Sequence, residues 1–359
     1  MATPSVSASI DRAPHAPDEA LTLTVNYSDP ANTTIEVIVT VADSTGNTTA
    51  TATINPLTRH ISNMPARTWS LVPAPAPAIT VKDSYALGVR VEPGPTEFDA
   101  YESWLGRSVP IYVTYAGLPG GLTFICNQWA GRSQKLVASL GMVQGVETIQ
   151  EGAAGAYDAR WTSFAEVLVN AGRGDSIIRP GWEMNGGWYA WSARQDPAAY
   201  AAYYRRIVDL MRAKSIYFQF DWNVAATGGF RTETEAAYPG DNYVDYIGLD
   251  IYDKAPSSEH CSYPARWDRL LNLETGLAWH RDFAGTHGKK MSFPEFGLTS
   301  EQPGECAADD PYFIARMADW FHAYDVGYVS YFDVNSENNH ALSGGQYPLA
   351  ADMFRARFG

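Results

Sequence analysis

Eight short apolar segments alternate with amphipathic stretches over residues 80–359 of this chain. The apolar segments have the length of buried strands, and the stretches between several of them carry apolar residues at helical spacing. This rhythm predicts a parallel sheet, because parallel strands need a crossover helix between them. Eight such units have the size of a (β/α)₈ or TIM barrel, an α/β fold. The predicted strands are Tyr85–Val89, Pro110–Tyr115, Leu136–Met142, Ser176–Trp182, Ile216–Trp222, Tyr243–Tyr252, Lys290–Phe296 and Tyr328–Val334.

Helices are predicted between most of these strands. Residues 156–171 place Trp161, Phe164 and Leu168 on one face, and residues 197–213 begin with a proline, which is favoured in a first helical turn. The region between residues 117 and 135 is irregular, and we assign no element to it. The other predicted helices are Phe98–Leu105, Trp267–Phe283 and Pro311–Tyr324.

The first 70 residues follow a different pattern. Segments 21–27, 35–41 and 50–54 alternate apolar and polar residues and are rich in Thr and Val. We predict a small all-β, immunoglobulin-like sandwich over residues 1–70, then a Pro-rich linker over residues 71–79 and the barrel over residues 80–359. The module has Tyr27 but no aromatic platform of the kind that binds a polysaccharide, so we expect it to position or multimerise the barrel. A simple spacer is the alternative, because an immunoglobulin-like pattern says little about function.

Two of the predicted barrel strands lead into a carboxylate. Glu183 follows the fourth strand and Glu295 ends the seventh. A TIM barrel presents its chemistry at the C-terminal ends of its strands, so both side chains are expected on one face. Glycoside hydrolysis needs such a pair, because one carboxyl protonates the leaving oxygen and the other attacks the anomeric carbon or activates water. The alternative is that each glutamate belongs to a structural ion-pair network.

Polar and aromatic residues near the same strand ends are candidates for supporting roles. Arg179 lies four positions before Glu183, where a buried guanidinium could hold a carboxylate. Asp250 and Tyr252 end the sixth strand, and a tyrosine hydroxyl there could keep a carboxylate ionised. Exposed indole rings can stack on the apolar face of a sugar, and packing against a helix is the alternative for such residues. The other candidates for sugar contact or support are Trp182, Asn185, Trp188, Trp191 and Trp222.

Composition narrows the class of partner. The formal net charge is −14, which argues against nucleic acid and anionic membranes, because both attract clusters of Lys and Arg. We also expect no membrane insertion, since no stretch approaches the ~20 apolar residues of a membrane span. Aromatic residues make up 13% of the chain, which suits a neutral polysaccharide substrate. The start at Met1 shows no Sec signal, so an extracellular or virion-associated protein would need a trimmed signal or another route.

Three cysteines allow at most one disulfide within the chain. Cys261 and Cys306 follow the sixth and seventh predicted strands, so their loops share one face of the barrel and the two could pair. Three reduced cysteines, with Cys126 as the third, are the alternative. No metal-binding or phosphate-binding motif is present in the sequence, so we expect neither a metal nor another cofactor.

Four ordered motifs of the barrel resemble those of family-26 glycoside hydrolases, the β-mannanase family within the clan-A retaining barrels. The motifs are Arg-Pro-x-x-Glu-Met-Asn-Gly-x-Trp, Tyr-Pro-Gly-Asp, Gly-Leu-Asp-x-Tyr-Asp and Pro-Glu-Phe-Gly. The resemblance covers roughly residues 80–359. It implies that Glu183 is the acid/base, that Glu295 is the nucleophile and that Tyr252 is its hydrogen-bond partner. The family's mannanases usually carry His before the acid/base, and Trp182 in that place weakens the case for mannan.

Together these features predict a retaining endo-β-glycosidase that hydrolyses a bacterial-envelope or plant-type polysaccharide. A glycan-binding barrel without turnover and a phage-tail or cell-surface structural protein are the alternatives. A retaining mechanism predicts carboxyl groups about 5–5.5 Å apart at the barrel mouth. It also predicts a higher pKa for Glu183 than for Glu295. Endo-action predicts a groove that is open at both ends and lined by exposed tryptophan rings.

Overall fold

A computed structural model describes residues 85–256, 261–300, 302, 304–335 and 339–359 in full, together with the backbone of five strands in the first 71 residues. The chain divides into two units, Met1–Lys82 and Asp83–Gly359. None of the described helices has both the length and the apolar character that crossing a membrane requires.

The strands of the first unit form two small antiparallel sheets. They are β1 (Ser5–Ile10), β2 (Leu21–Ser28), β3 (Val37–Ala42), β4 (Thr48–Ile54) and β5 (Arg67–Leu71). In one sheet β2 lies between β1 and β5, and in the other β3 pairs with β4. The predicted immunoglobulin-like sandwich depends on side-chain packing that lies outside the described residues, as does most of the predicted linker, so both stay predictions.

The second unit is a closed barrel of eight parallel strands that follow one another in chain order, consistent with the predicted TIM barrel. Two further short strands, β12 and β14, pair with each other outside the barrel. The strands of this unit are β6 (Ala86–Arg90), β7 (Ile111–Ala116), β8 (Lys135–Leu140), β9 (Ile177–Pro180), β10 (Gln219–Ala225), β11 (Tyr246–Asp253), β12 (Ala255–Pro256), β13 (Lys290–Leu298), β14 (Glu305–Cys306) and β15 (Val326–Phe332).

Helices surround the barrel. Several begin with proline in the first turn, where its missing N–H costs no hydrogen bond. They are α1 (Pro95–Leu105), α2 (Pro119–Gln128), α3 (Ile149–Ala153), α4 (Asp158–Asn170), α5 (Pro197–Arg212), α6 (Arg231–Ala236), α7 (Tyr263–Asn272), α8 (Leu277–Thr286), α9 (Pro311–Ala323) and α10 (Pro348–Phe358).

One prediction about the helices is wrong, and one helix was not predicted. The single helix predicted over residues 267–283 is divided into α7 and α8, because Leu273 leaves the helical conformation with a ψ of 152°. The chain then turns at Gly276, where a Cβ would lie 2.4 Å from the carbonyl oxygen of Leu270. The region to which no element was assigned contains α2, which buries Leu122 and Cys126 four positions apart. Its adjacent glycines weaken the helical signal.

Alternation along β10 places polar groups inside the barrel. Asp221 accepts hydrogen bonds from Ser292 Oγ and the Tyr328 hydroxyl in the barrel interior. Gly248 makes room for this carboxylate, because a Cβ there would lie 2.2 Å from Asp221 Oδ1. Trp222, the next residue along, points to the opposite side of the sheet, as the period of a strand requires.

Cys261 and Cys306 form a disulfide, with their Cα atoms 5.2 Å apart. Of the two alternatives, a Cys261–Cys306 disulfide and three reduced cysteines, the structure therefore has the disulfide. Cys306 belongs to β14, which pairs with β12 directly after β11. The disulfide thus joins the loops after β11 and β13, while Cys126 is free and buried. Within the described ranges no group of His, Cys, Asp and Glu is arranged to hold a metal ion.

Candidate active site

Glu183 lies on a sharply turned segment directly after β9. Its φ is 51° and that of Gly181 is 59°, both in the left-handed region that glycine adopts most freely. A Cβ on Gly181 would lie 2.3 Å from the Sδ atom of Met142, so the position has no room for a side chain. The backbone N–H of Glu183 donates to Asn223 Oδ1 at 2.9 Å. A side chain of the neighbouring strand β10 therefore holds the turn that carries Glu183.

Glu295 lies in β13 and is surrounded by donors from three other strands. The hydroxyl of Tyr115 donates to its Oε1 at 2.5 Å, and that of Tyr252 donates to its Oε2 at 2.8 Å. Arg179 donates to Oε1 through both terminal nitrogens at 3.0 Å. Hydrogen bonds from charged and neutral donors to a carboxylate stabilise its ionised form.

The fully buried guanidinium of Arg179 lies between two carboxylates. Its Nη2 atom is 2.6 Å from Asp250 Oδ2 and 3.0 Å from Glu295 Oε1. The same atom donates to Asn223 Oδ1 at 3.0 Å, and Asn223 Nδ2 donates to Asp250 Oδ1 at 2.9 Å. This network joins β9, β10, β11 and β13, and a buried network with satisfied partners holds its members in one geometry.

The two glutamates have pKa values shifted in opposite directions. Burial alone would raise the pKa of Glu295, but Arg179 and the two tyrosine hydroxyls outweigh it, so the pKa lies below its ordinary value of 4.5. Burial and the negative charge of Glu295 raise the pKa of Glu183 to about 7. In mildly acidic solution Glu183 is therefore protonated while Glu295 is ionised. A proton donor and a carboxylate in one site can perform acid catalysis and nucleophilic attack together.

The other buried groups of the site are consistent with this distribution of charge. Burial raises the pKa of Asp250 well above its ordinary value, with Arg179 opposing that shift. Burial also raises the pKa values of Tyr115 and Tyr252 well above 10, so both hydroxyls stay neutral donors. The positive charge of Arg179 acts on both carboxyl groups, because it opposes the rise in the pKa of Asp250 and lowers the pKa of Glu295.

Trp188 combines an exposed ring with a contact to Glu183. Its Nε1 atom donates to Glu183 Oε2 at 2.6 Å, and the residue is 55% exposed. This hydrogen bond favours the ionised carboxylate and so moderates the rise in the pKa of Glu183. Gly186 makes the arrangement possible, because a Cβ there would lie 2.4 Å from the indole ring.

Trp182 and Trp191 belong to a packed aromatic cluster beside the site. The rings of Trp182 and Tyr115 form a T-shaped contact with their centres 5.2 Å apart, and the indole N–H of Trp182 donates to the Tyr189 hydroxyl at 3.0 Å. Trp191 stacks on Tyr189 with ring centres 4.5 Å apart, and its N–H donates to the carbonyl of Trp182. An exposed indole face was expected on either Trp188 or Trp191. Trp188 provides it, because these contacts leave Trp191 only 7% exposed.

The prediction that Trp222 lines the cleft is also wrong. It is fully buried, with its ring 5.1 Å from that of Tyr238 and 5.6 Å from that of Phe283 on α8. Strand alternation is the physical reason, because Asn223, the next residue of β10, points into the barrel and joins the site.

Asn185 supports the loop after β9 from a buried position. Its side chain donates to the carbonyl of Ala225 at 2.9 Å and accepts from the N–H of Ala225 at 2.8 Å. The amide thus fastens this loop to the end of β10. A direct contact with sugar is not favoured, since the residue is 1% exposed.

Tyr115 is a site residue that the sequence analysis did not single out, and Asn223 was placed at the end of the fifth strand but was given no role. Tyr115 is the last residue of the second predicted strand, and Asn223 directly follows the fifth. A polar group at a predicted barrel strand end was the available signal in both cases. Their importance depends on contacts with residues far away in the chain, such as the 180 positions that separate Tyr115 from Glu295.

Residues 165–315, which include Glu183 and Glu295, match the family model of glycosyl hydrolase family 26. A segment of 157 residues is 29% identical to a mannan endo-1,4-beta-mannosidase of Bifidobacterium adolescentis, covering 41% of this chain and 15% of that protein. A segment of 126 residues is 36% identical to endoglucanase H of Acetivibrio thermocellus, covering 33% of this chain and 14% of that protein. The barrel is a glycoside hydrolase domain.

Solved structures share the fold of this hydrolase barrel. A double mutant of a Cellulomonas fimi endo-beta-1,4-mannanase aligns with a TM-score of 0.55 at 19% identity, covering 75% of this chain and 71% of that one. A family-26 β-mannanase from Bacteroides ovatus aligns with a TM-score of 0.54 at 16% identity, covering 77% and 88%. At these identities the likeness concerns the fold alone.

The matched part of the chain corresponds to 15% and 14% of the lengths of the two curated relatives, so their full activities do not transfer directly. Both relatives carry the names of enzymes that cleave within polysaccharides. The alternative of a phage-tail or cell-surface structural protein has no support in these comparisons.

Proposed function

We propose that this protein is a retaining endo-β-glycosidase that hydrolyses a neutral polysaccharide, with Glu183 as acid/base and Glu295 as nucleophile. The observation that carries the proposal is the opposite shift of the two pKa values at one end of the barrel. An ion-pair network built for stability alone would have no need to keep one of two neighbouring carboxyls protonated near neutral pH.

In the first step the carboxylate of Glu295 attacks the anomeric carbon. At the same time Glu183 gives its proton to the glycosidic oxygen, the C–O bond breaks and the leaving sugar departs as an alcohol. The product of this step is a glycosyl ester of Glu295. The donors Arg179, Tyr115 and Tyr252 hold the attacking carboxylate in place before the reaction, which lowers the cost of orienting it.

In the second step Glu183, now ionised, removes a proton from water. The resulting nucleophile attacks the anomeric carbon and releases Glu295 as a carboxylate. Two inversions at the same carbon give net retention of the β configuration. Trp188 supports this step, because its N–H donates to the form of Glu183 that acts as the base.

Arg179 and Asp250 act through Glu295 in this mechanism. Asp250 orients the guanidinium of Arg179 with an ion pair at 2.6 Å, and Arg179 then stabilises the charge of Glu295. Both residues are buried, and this favours a positioning role over direct contact with a sugar.

For the substrate we propose a plant-type β-linked glycan. The curated relatives are named for cleavage of mannan and for endoglucanase activity, and both activities concern such polymers. Trp182, next to the acid/base, packs its ring against Tyr115 and Tyr189 in place of a polar side chain. This favours a glucan over a mannan. A polymer of this size is met outside the cell, so we place the site of action there.

A polysaccharide panel tests the proposal. Galactomannan, glucomannan, mixed-linkage β-glucan and carboxymethyl cellulose are incubated with the protein, and new reducing ends are measured. Proton NMR of the first product distinguishes the β anomer, which retention requires, from the α anomer. Glu183→Gln and Glu295→Gln should each remove most activity. An α anomer as the first product would exclude double displacement, and turnover by Glu295→Gln would exclude its role as nucleophile.

A further inference from the structure

Arg194 and Phe230 form a stacked pair beside the proposed active site. The guanidinium carbon of Arg194 lies 3.7 Å from the centre of the Phe230 ring, a close cation–π contact. Phe230 nevertheless remains 44% exposed. Its φ of 67° lies in the left-handed region, which is unfavourable for a bulky side chain. Strain of this kind persists only where the surroundings enforce it, and it concentrates at ligand sites.

Arg194 lies close in the chain to the acid/base, and its contacts bring Phe230 near the same segment. Arg194 Nε donates to the carbonyl of Asn185 at 2.6 Å, two residues after Glu183. Phe230 precedes α6 in the loop after β10, and β10 is the neighbour of β9 in the barrel. Trp188, the other exposed ring of this region, belongs to the same loop as Arg194.

The proposed reaction indicates which half of the substrate would contact this region. An acid/base donates its proton to the oxygen that departs with the leaving half of the glycan, so that half lies on the side of Glu183. Glu295 approaches the anomeric carbon from β13, two strands beyond β10 in the barrel. The loops after β9 and β10 therefore border the leaving half.

We propose that Arg194 and Phe230 form a binding subsite for a sugar of the leaving half of the glycan. This inference rests on the proposed function. The aromatic ring offers an apolar surface to the C–H face of a pyranose. No residue in the described part of the chain accepts a hydrogen bond from the terminal nitrogens of Arg194, so these can donate to sugar hydroxyls. The stacked guanidinium also keeps the ring in one orientation, which reduces the entropy lost on binding.

Two variants, Phe230→Gly and Phe230→Tyr, distinguish a sugar-binding role of Phe230 from a purely structural contact between two loops. Glycine at a φ of 67° relieves the backbone strain while it removes the ring. Tyrosine retains the ring. The substrates are the most readily cleaved polysaccharide of the panel, with cellohexaose and mannohexaose labelled at the reducing end.

A subsite predicts that Phe230→Gly lowers kcat/KM on the polysaccharide roughly tenfold, which corresponds to ~1.4 kcal/mol and lies within the range of an aromatic contact. The bond cleaved in the hexaose should move toward the reducing end, because a leaving-side sugar no longer holds the chain in register. Phe230→Tyr should keep the wild-type pattern, and the Tm of Phe230→Gly should not fall.

The outcomes separate failure of this inference from failure of the proposed function. An active wild type with an unchanged cleavage pattern in Phe230→Gly would overturn the subsite alone. A lower Tm with an equal loss of activity on every substrate would show that the Arg194–Phe230 contact only holds the two loops together, and this result would also overturn the subsite. A wild type that cleaves neither the polysaccharides nor the hexaoses would overturn the proposed function, and the subsite with it.

Discussion

Trp188 donates its indole N–H to Glu183, while Tyr115, Tyr252 and Arg179 donate to Glu295. The donors around Glu295 overcome the effect of burial on its pKa, and the contact to Glu183 does not. At the scale of single residues, the number and charge of hydrogen-bond partners therefore give two chemically identical side chains different pKa values.

The first prediction is a bell-shaped dependence of kcat/KM on pH. Catalysis needs Glu183 protonated, so activity should fall as the pH rises through about 7. It also needs Glu295 ionised, so on the acid side activity should be lost only below the ordinary pKa of 4.5. Initial rates at low substrate concentration between pH 3 and 9 measure both limbs. An alkaline limb near pH 5 would contradict the assignment of Glu183 as the acid.

The second prediction concerns the indole N–H of Trp188. Trp188→Phe removes a donor to the ionised form of Glu183, so its pKa should rise and the alkaline limb should move to higher pH. Trp191→Phe is the matched control, because its N–H donates to a backbone carbonyl in the same loop. Both pH profiles are measured in the same buffers. Equal shifts in the two variants would point to a general change in the loop.

The third prediction concerns Tyr115. Tyr115→Phe should lower kcat/KM by roughly ten- to a hundredfold, since a hydrogen bond to a charged group contributes about 1.5–3 kcal/mol. The acid limb should also move to higher pH, because the ionised form of Glu295 loses a donor. Tyr204→Phe is the control, because among the described residues the hydroxyl of Tyr204 has no hydrogen-bond partner. A normal acid limb in Tyr115→Phe would show that Tyr115 does not stabilise the ionised carboxylate.

At the scale of elements, the short strand β9 and the turn after it determine the position of Glu183, the proposed acid/base. The predicted strand extended to Trp182, whereas β9 ends at Pro180 and the chain then takes left-handed conformations. The reason lies in the neighbours of this strand. Met142, which follows β8, packs against Gly181, and Asn223 of β10 accepts a hydrogen bond from the N–H of Glu183.

The fourth prediction tests this turn with Gly181→Ala. Its φ of 59° adds about 1–2 kcal/mol of backbone strain, and its Cβ would meet Met142 Sδ at 2.3 Å. We expect a lower Tm and a loss of activity of more than roughly tenfold, because a displaced Glu183 misses the glycosidic oxygen. Gly131→Ala is the control, since Gly131 has a φ of 77° with nothing within 4 Å of the new Cβ. It should lower Tm modestly and leave kcat/KM unchanged.

At the scale of the whole molecule, the chain divides into an N-terminal unit and a barrel that contains all the residues of the candidate site. The barrel has its own core, in which aromatic and aliphatic side chains pack between strands and helices. We propose that residues 1–70 position the enzyme or assemble it into an oligomer, and that they contribute little sugar affinity.

The fifth prediction tests this division of roles by deletion of residues 1–78. Turnover of a soluble oligosaccharide should stay within about twofold of the full chain, because the barrel retains a complete core and site. Light scattering of both forms measures the state of assembly, which should change if the module multimerises the enzyme. A truncated barrel that keeps its Tm but loses most activity would show that the module shapes the cleft.

The barrel and the two glutamates could be predicted from the sequence because both depend on local information. Strand and helix periods are read within short windows, and a barrel brings the C-terminal ends of all its strands to one face. Arg179 and Tyr252 could be predicted as site residues for the same reason, because both lie near the ends of predicted strands. The resemblance to family 26 then supplied roles for Glu183, Glu295 and Tyr252.

The tertiary structure alone decided which side chains surround those glutamates. Trp222 and Trp191 are buried and Asn185 fastens a loop, while Tyr115 and Asn223 enter the site. The physical reason is that burial and hydrogen bonding depend on the direction of each side chain and on neighbours from distant strands. The periodicity of the sequence gives information on neither. The pKa difference between Glu183 and Glu295 therefore depends on contacts that exist only in the folded barrel.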